Sequence, residues 1–86
     1  MIYRDPQTES AVFGPREKPV PVWWVIYALK YLEIDPECIQ ELAKELGDYK
    51  PSPKEIVACM DYYDAHTYEI EAECIVAQFI LKEKAV

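Results

Sequence analysis

The sequence predicts a small all-α domain. A three-helix core covers residues 21–66, a proline-rich arm precedes it over residues 1–20, and an additional helix follows over residues 67–86. Two observations predict this class. Apolar residues recur at helical spacing in three segments of the core, and each segment begins at a proline. Proline suits the first turn of a helix, because the N–H that it lacks has no partner there.

The arm is predicted to be irregular, because it holds Pro6, Gly14, Pro15 and Pro19 within a short stretch. It allows two short β-strands, over residues 11–13 and 18–20, with residues 14–17 between them as a turn. Pro19 would confine the second strand to the edge of a sheet, since it has no N–H to donate.

The first helix is predicted over residues 22–32, after Pro21. One of its faces is apolar and is assigned to the core: Val22, Val25, Ala28, Leu29 and Leu32. The opposite face is aromatic: Trp23, Trp24, Tyr27 and Tyr31. One domain of 86 residues cannot bury both faces, so the aromatic face is predicted to meet a partner, and a second copy is the simplest supplier. A base-stacking platform is the less favoured alternative, because only Lys30 lies close.

Helix 2 is predicted from Asp35-Pro36-Glu37 to Leu46, with Gly47 as its stop. Its inward residues are Ile39, Leu42, Ala43 and Leu46. Helix 3 opens with the capping box Ser52-Pro53-Lys54-Glu55. Its inward residues are Ile56, Cys59, Met60 and Tyr63.

A break is predicted near residues 64–67, followed by a last helix over residues 68–82. Its first half carries Glu69, Glu71 and Glu73, which are interpreted as a solvated face. Its second half is apolar and includes Phe79 and Ile80. Packing within the domain and packing on a partner are both open for that half.

Charge and composition narrow the function. The chain carries 16 acids against 9 bases, a net charge of -7, which disfavours generic nucleic-acid binding. Residues 35–65 alone hold eight acids against three lysines. The polar N-terminus has no signal-peptide core and the longest apolar run is too short to span a bilayer, so a cytoplasmic location is expected. Three widely spaced cysteines favour reduced thiols.

Small buried thiols are favoured over a zinc site built from Cys38, Cys59, Cys74 and His66, because no Cys-x-x-Cys spacing occurs. His66 is expected to interact with the carbonyls at a helix end. With two glycines there is no phosphate-binding loop, and no serine lies in a nucleophile motif. No cofactor and no catalytic activity are expected.

An ordered set of short motifs carries a family resemblance. The chain reads Asp5-Pro6, Val12-Phe13, Gly14-Pro15-Arg16, Val20-Pro21-Val22, Asp35-Pro36-Glu37, Ser52-Pro53-Lys54-Glu55, Tyr62-Tyr63-Asp64-Ala65-His66 and Glu69-Ile70-Glu71. Over about residues 4–73 this order resembles the DUF 433 family, a domain of unknown function found in many bacterial proteins. Gly14-Pro15-Arg16 stands where the family has Gly-Thr-Arg, and residues 17–19 look inserted.

The resemblance implies a homeodomain-like helix-turn-helix formed by helices 2 and 3, and an antitoxin of the VapB kind from a toxin–antitoxin pair. Such a protein would form a homodimer, bind its own operator DNA and cover a PIN-like nuclease toxin. A DNA-binding regulator that acts through helices 2 and 3 is the alternative, and a stand-alone dimer is a weaker one. The candidate dimer or partner interface comprises Trp23, Trp24, Tyr27, Tyr31, Phe79 and Ile80. The candidate DNA contacts are Arg4, Arg16, Lys18, Lys50, Lys54 and Tyr62.

Overall fold

A three-stranded antiparallel sheet packs with four helices in the computed structural model, which describes the backbone of residues 1–85 and the side chains of residues 1–79. The prediction of an all-α fold is therefore wrong. Strands β1 (Tyr3–Arg4), β2 (Ala11–Phe13) and β3 (Val20–Pro21) lie side by side in that order. The two strands that the arm allowed correspond to β2 and β3, whereas β1 was not predicted.

The arm forms a sheet because its central strand is apolar throughout. Ala11, Val12 and Phe13 of β2 are all at most 2% exposed. Val12 pairs with Tyr3 on one side and with Pro21 on the other. β3 lies at an edge, where a proline is tolerated. Strands of two and three residues are too short to show the alternation that predicts a sheet, and this explains the wrong fold class.

Helix α1 (Val22–Lys30) is the centre of the fold: it packs against β2 and β3 and against the helices α2 (Pro36–Gly47), α3 (Pro53–Ala65) and α4 (Thr67–Ala85). It ends two residues earlier than predicted, and Glu33 just beyond it adopts a left-handed conformation with φ 54°. Leu32 consequently falls outside the helix and is 53% exposed, so its assignment to the core is wrong.

The start of α3 confirms the predicted capping box. The Ser52 hydroxyl accepts a hydrogen bond from the backbone N–H of Glu55 at 3.2 Å, and the Glu55 carboxylate accepts one from the backbone N–H of Ser52 at 3.0 Å. Two other assignments are wrong. Leu46 on α2 and Met60 on α3 were predicted to face inward, but they are 62% and 44% exposed.

A polar residue takes an inward position on α2 that the apolar pattern did not indicate. Gln40 is buried, and its amide donates a hydrogen bond to the carbonyl of Pro51 at 2.6 Å. This bond holds the turn between α2 and α3 against α2. The turn begins at Asp48, which is left-handed with φ 56°, so the residue after Gly47 terminates the helix.

The predicted break between the last two helices is confirmed and is a single residue, His66. Its backbone N–H donates to the carbonyl of Tyr62, and its ring Nδ1 lies 3.2 Å from the same oxygen. The Thr67 hydroxyl donates to the carbonyl of Tyr63 at 2.9 Å. His66 thus has the helix-end role that the sequence suggested. α4 then turns back across α1, and its Ile70 and Cys74 are buried in the core.

Candidate protein-interaction groove

An apolar groove of about 670 Å³ opens between α1 and α4. The segment between α1 and α2 and one side chain of α2 complete its walls. We call it the α1–α4 groove and define it by its lining: Trp23, Trp24, Tyr27, Ala28, Leu32, Ile34, Leu42, Ala72, Glu73, Val76 and Ala77. The groove includes three of the six residues that the sequence assigned to a partner interface.

Helix α1 positions its aromatic residues by burying the opposite side. Val22 and Val25 are fully buried in the core, and α1 contacts the sheet and α3. Trp23, Trp24 and Tyr27 are half-buried, because they pack against the core along one edge and line the groove along the other. The aromatic face therefore stabilises the monomer as well as forming a surface, a double role that was not predicted.

The apolar surface extends beyond the groove on the far side of Trp24. A second cleft of about 200 Å³ lies between β3 and α2, and Trp24 lines it too, together with the exposed Leu46. Trp24 is thus shared by two neighbouring concave surfaces. Leu46, which was predicted to be core, lies at the outer end of this surface instead.

The remaining candidate interface residues lie elsewhere. Tyr31 is absent from the lining of the groove, and its hydroxyl donates to the Glu71 carboxylate at 2.5 Å. Phe79 is 66% exposed on α4, beyond Ala77 at the end of the groove. The side chain of Ile80 falls outside the described residues. The structure therefore brings the two tryptophans and Tyr27 together, and places Tyr31 and Phe79 apart from them.

Glu73 is the one charged side chain among the described residues that line the groove. Its Oε1 is buried and has no hydrogen-bond partner among the described residues. A buried carboxylate oxygen without a donor is unfavourable, and a partner that supplies a donor would remove this cost. Sequence reasoning interpreted Glu73 as solvated and missed it. Its spacing of three and four residues from Val76 and Ala77 was the available signal.

The wall formed by α4 is held in place by a polar cluster on Glu71. Its carboxylate accepts hydrogen bonds from the ammonium of Lys30 and from the hydroxyls of Tyr31 and Tyr63. The contacts with Lys30, Tyr31 and Tyr63, in that order, lower the pKa of Glu71 to about 2. Because these donors belong to α1, the segment after it and α3, the cluster connects α4 to three parts of the fold. The lysine and the carboxylate also form an ion pair.

Three of the five basic candidates for DNA contact already have partners within the chain. The Arg4 guanidinium forms an ion pair with Glu69 at 2.6 Å and donates to the hydroxyl of Tyr62, which is itself a candidate. The Arg16 guanidinium lies 4.5 Å from the centre of the Tyr3 ring. Lys50 forms an ion pair with Glu41 at 2.7 Å.

The remaining two basic candidates, Lys18 and Lys54, are exposed. They lie on different parts of the fold, Lys18 in the segment before β3 and Lys54 in the first turn of α3. DNA contact through these six residues therefore stays a prediction.

The three cysteines are free thiols and differ in exposure. Cys59 and Cys74 are buried, as expected, and burial raises their pKa values to about 12 and about 11. Cys38 is exposed, so the expectation of buried thiols is wrong for it. Within the described residues, no three His, Cys, Asp or Glu side chains lie close enough to hold a metal ion.

Comparison with known proteins finds no matching family model, no similar curated protein and no similar solved structure. No helix within the described part of the chain is long and apolar enough to cross a bilayer. Inferences about function therefore depend on the geometry of the molecule.

Proposed function

We propose that this protein is a non-catalytic interaction module whose α1–α4 groove binds an apolar segment of another polypeptide. One observation carries the proposal: an open groove of about 670 Å³ is lined almost entirely by apolar side chains, two of them tryptophans. Large concave apolar surfaces with aromatic anchors are typical of protein interfaces. Leu32 and Val76 both line the groove, and their side chains, 53% and 57% exposed, would be covered in such a complex.

The resemblance to the DUF 433 family gives this module an antitoxin-like role, as a homodimer that covers a PIN-like nuclease toxin. The groove is compatible with both associations, since a second copy or a toxin helix could each supply the apolar segment. A PIN-like nuclease encoded beside the gene would favour the toxin.

Substituting Ala72 with arginine tests the proposal. Ala72 is exposed and lines the groove, so Ala72→Arg places a long charged side chain there without disturbing the core. We expect association through the groove to be lost. The measurement is co-purification with a PIN-like nuclease encoded beside the gene, and light scattering at micromolar concentration shows whether a second copy occupies the groove instead.

Ala65→Arg is the matched control, because Ala65 is an exposed alanine at the end of α3 that does not line the groove. It should leave association unchanged. A wild-type monomer of about 10 kDa that also leaves such a nuclease unbound would contradict the proposal.

Operator binding through α2 and α3 stays the alternative. Its support is the resemblance and the exposed Lys54 in the first turn of α3. A gel shift at low salt with the DNA upstream of the gene, alone and with the partner protein, tests it. No shift in either case would remove this alternative.

A further inference from the structure

We infer that the occupant of the α1–α4 groove is an amphipathic helix of a different protein, and that a lysine or arginine on this helix pairs with Glu73. The inference rests on the proposed function and names the chemistry of its partner. Three observations support it: the apolar lining of the groove, the carboxylate within that lining, and the charge of the whole chain.

The lining favours an apolar side of a helix. Aromatic rings of α1 form one wall and the short side chains of Ala72 and Ala77 on α4 form part of the other, with Val76 between them. An amphipathic helix places apolar side chains into such a groove at a spacing of three and four residues. Half-buried tryptophans are the usual anchors of these contacts.

The carboxylate of Glu73 favours a partner helix that supplies a hydrogen-bond donor within this apolar contact. Its Oε1 is already buried and has no hydrogen-bond partner among the described residues. A helix without a basic residue would cover the carboxylate further and leave it without compensation. A lysine or arginine would neutralise its charge and donate to the carboxylate, as charge-assisted hydrogen bonds do in interfaces.

Charge also favours a different protein over a second copy as the occupant of the groove. A two-fold dimer places the same patch on both sides, so a homodimer through the groove would bring two Glu73 carboxylates into one interface. The described groove lining contains no basic side chain to offset them. Each chain also has a net charge of -7, so two copies repel, whereas a basic partner is attracted.

Selection from a displayed library of helical peptides tests the inference. The wild-type chain, Glu73→Gln and Ala72→Arg are the targets. With the wild type we expect enrichment of peptides that have apolar residues at helical spacing and one basic residue at a constant register. With Glu73→Gln the apolar pattern should persist and the basic preference should disappear. With Ala72→Arg neither should be enriched.

The matched control is Glu45→Gln, which removes one negative charge from an exposed position of α2 outside the groove. It should select the same peptides as the wild type. One selected peptide is then synthesised with its basic residue and with norleucine in its place. The norleucine peptide should bind the wild type about tenfold more weakly, and Glu73→Gln should bind both peptides equally.

Three other kinds of result would contradict the inference. Apolar peptides without a basic preference, or the same preference with Glu73→Gln, would overturn the inference and leave the proposed function standing. Enrichment that is equal for the wild type and Ala72→Arg would overturn both. A wild-type dimer that Ala72→Arg converts to a monomer would overturn the inference in favour of a second copy as the occupant.

Discussion

The two halves of helix α4 differ in composition and in how they contact the rest of the fold. The acidic half is held by core and ion-pair contacts, whereas the apolar half has several exposed side chains. Residues 67–74 carry three glutamates, yet this half is fixed to the fold by Ile70 and Cys74 in the core and by ion pairs from Glu69 and Glu71. Residues 75–79 are mostly apolar, yet they include Ile75, Val76 and Phe79, which are 49%, 57% and 66% exposed.

Acidity and exposure are therefore separate properties in this chain. The interpretation of the glutamates as solvated is wrong for Glu69 and Glu71, because the first bonds to Arg4 of β1 and the second to Lys30 of α1. The acidic half anchors α4, while the apolar half provides surface.

Ile70→Ala should have the largest effect on this comparison. Ile70 is fully buried in the core, and truncation of a buried isoleucine to alanine costs about 2–5 kcal/mol of unfolding free energy. Urea unfolding followed by circular dichroism measures the change. Val76→Ala in the other half is the control, since its side chain is more than half exposed and its loss should cost far less. Equal losses for the two variants would show that both halves are anchored alike.

Glu71→Gln should have an intermediate effect that depends on pH. The pKa of Glu71 is lowered from its ordinary value of 4.5 to about 2 by Lys30, Tyr31 and Tyr63. The unfolded chain therefore binds a proton between these values that the folded chain does not. The stability that Glu71 contributes is fully present above pH 4.5 and is lost as the pH falls toward 2.

The measurement is the urea midpoint at about pH 6 and about pH 3. The wild type should lose stability on acidification, and Glu71→Gln should lose less, because glutamine does not titrate. At about pH 6 the variant should be less stable than the wild type, by less than Ile70→Ala. Glu45→Gln, on an exposed part of α2, serves as the control. The same acid dependence in Glu71→Gln and the wild type would show that the cluster does not anchor α4.

Sequence patterns predicted the helices better than the sheet. The positions of Pro36 and Pro53, the Ser52–Glu55 capping box and the break at His66 are local signals, and the structure confirms each of them. The arm allowed β2 and β3 but not β1, and strands of two or three residues are too short to show the alternation that predicts a sheet. The fold class was missed for that reason.

The groove could be predicted in part. An aromatic face on α1 indicated Trp23, Trp24 and Tyr27, because that face exceeded what one small domain can bury. The opposite wall could not be predicted, since it depends on how α4 crosses α1 after the one-residue break at His66. Leu32 was wrongly assigned to the core because the left-handed conformation at Glu33 was not predicted. For the same reason Leu32 was not recognised as part of the groove lining.

Phe79→Ser should have the smallest effect on stability. Phe79 is 66% exposed on α4, so its ring contributes little to the core of the monomer. We expect the unfolding free energy to change by no more than about 0.5 kcal/mol, the usual range for exposed positions. If the apolar half of α4 is surface for a partner, the same variant should weaken association while leaving the fold intact. Urea unfolding, and binding of a helical peptide selected on the wild type, both measured on one preparation, separate the two effects. A large loss of stability would mean that Phe79 packs within the monomer and that the apolar half of α4 belongs to the core.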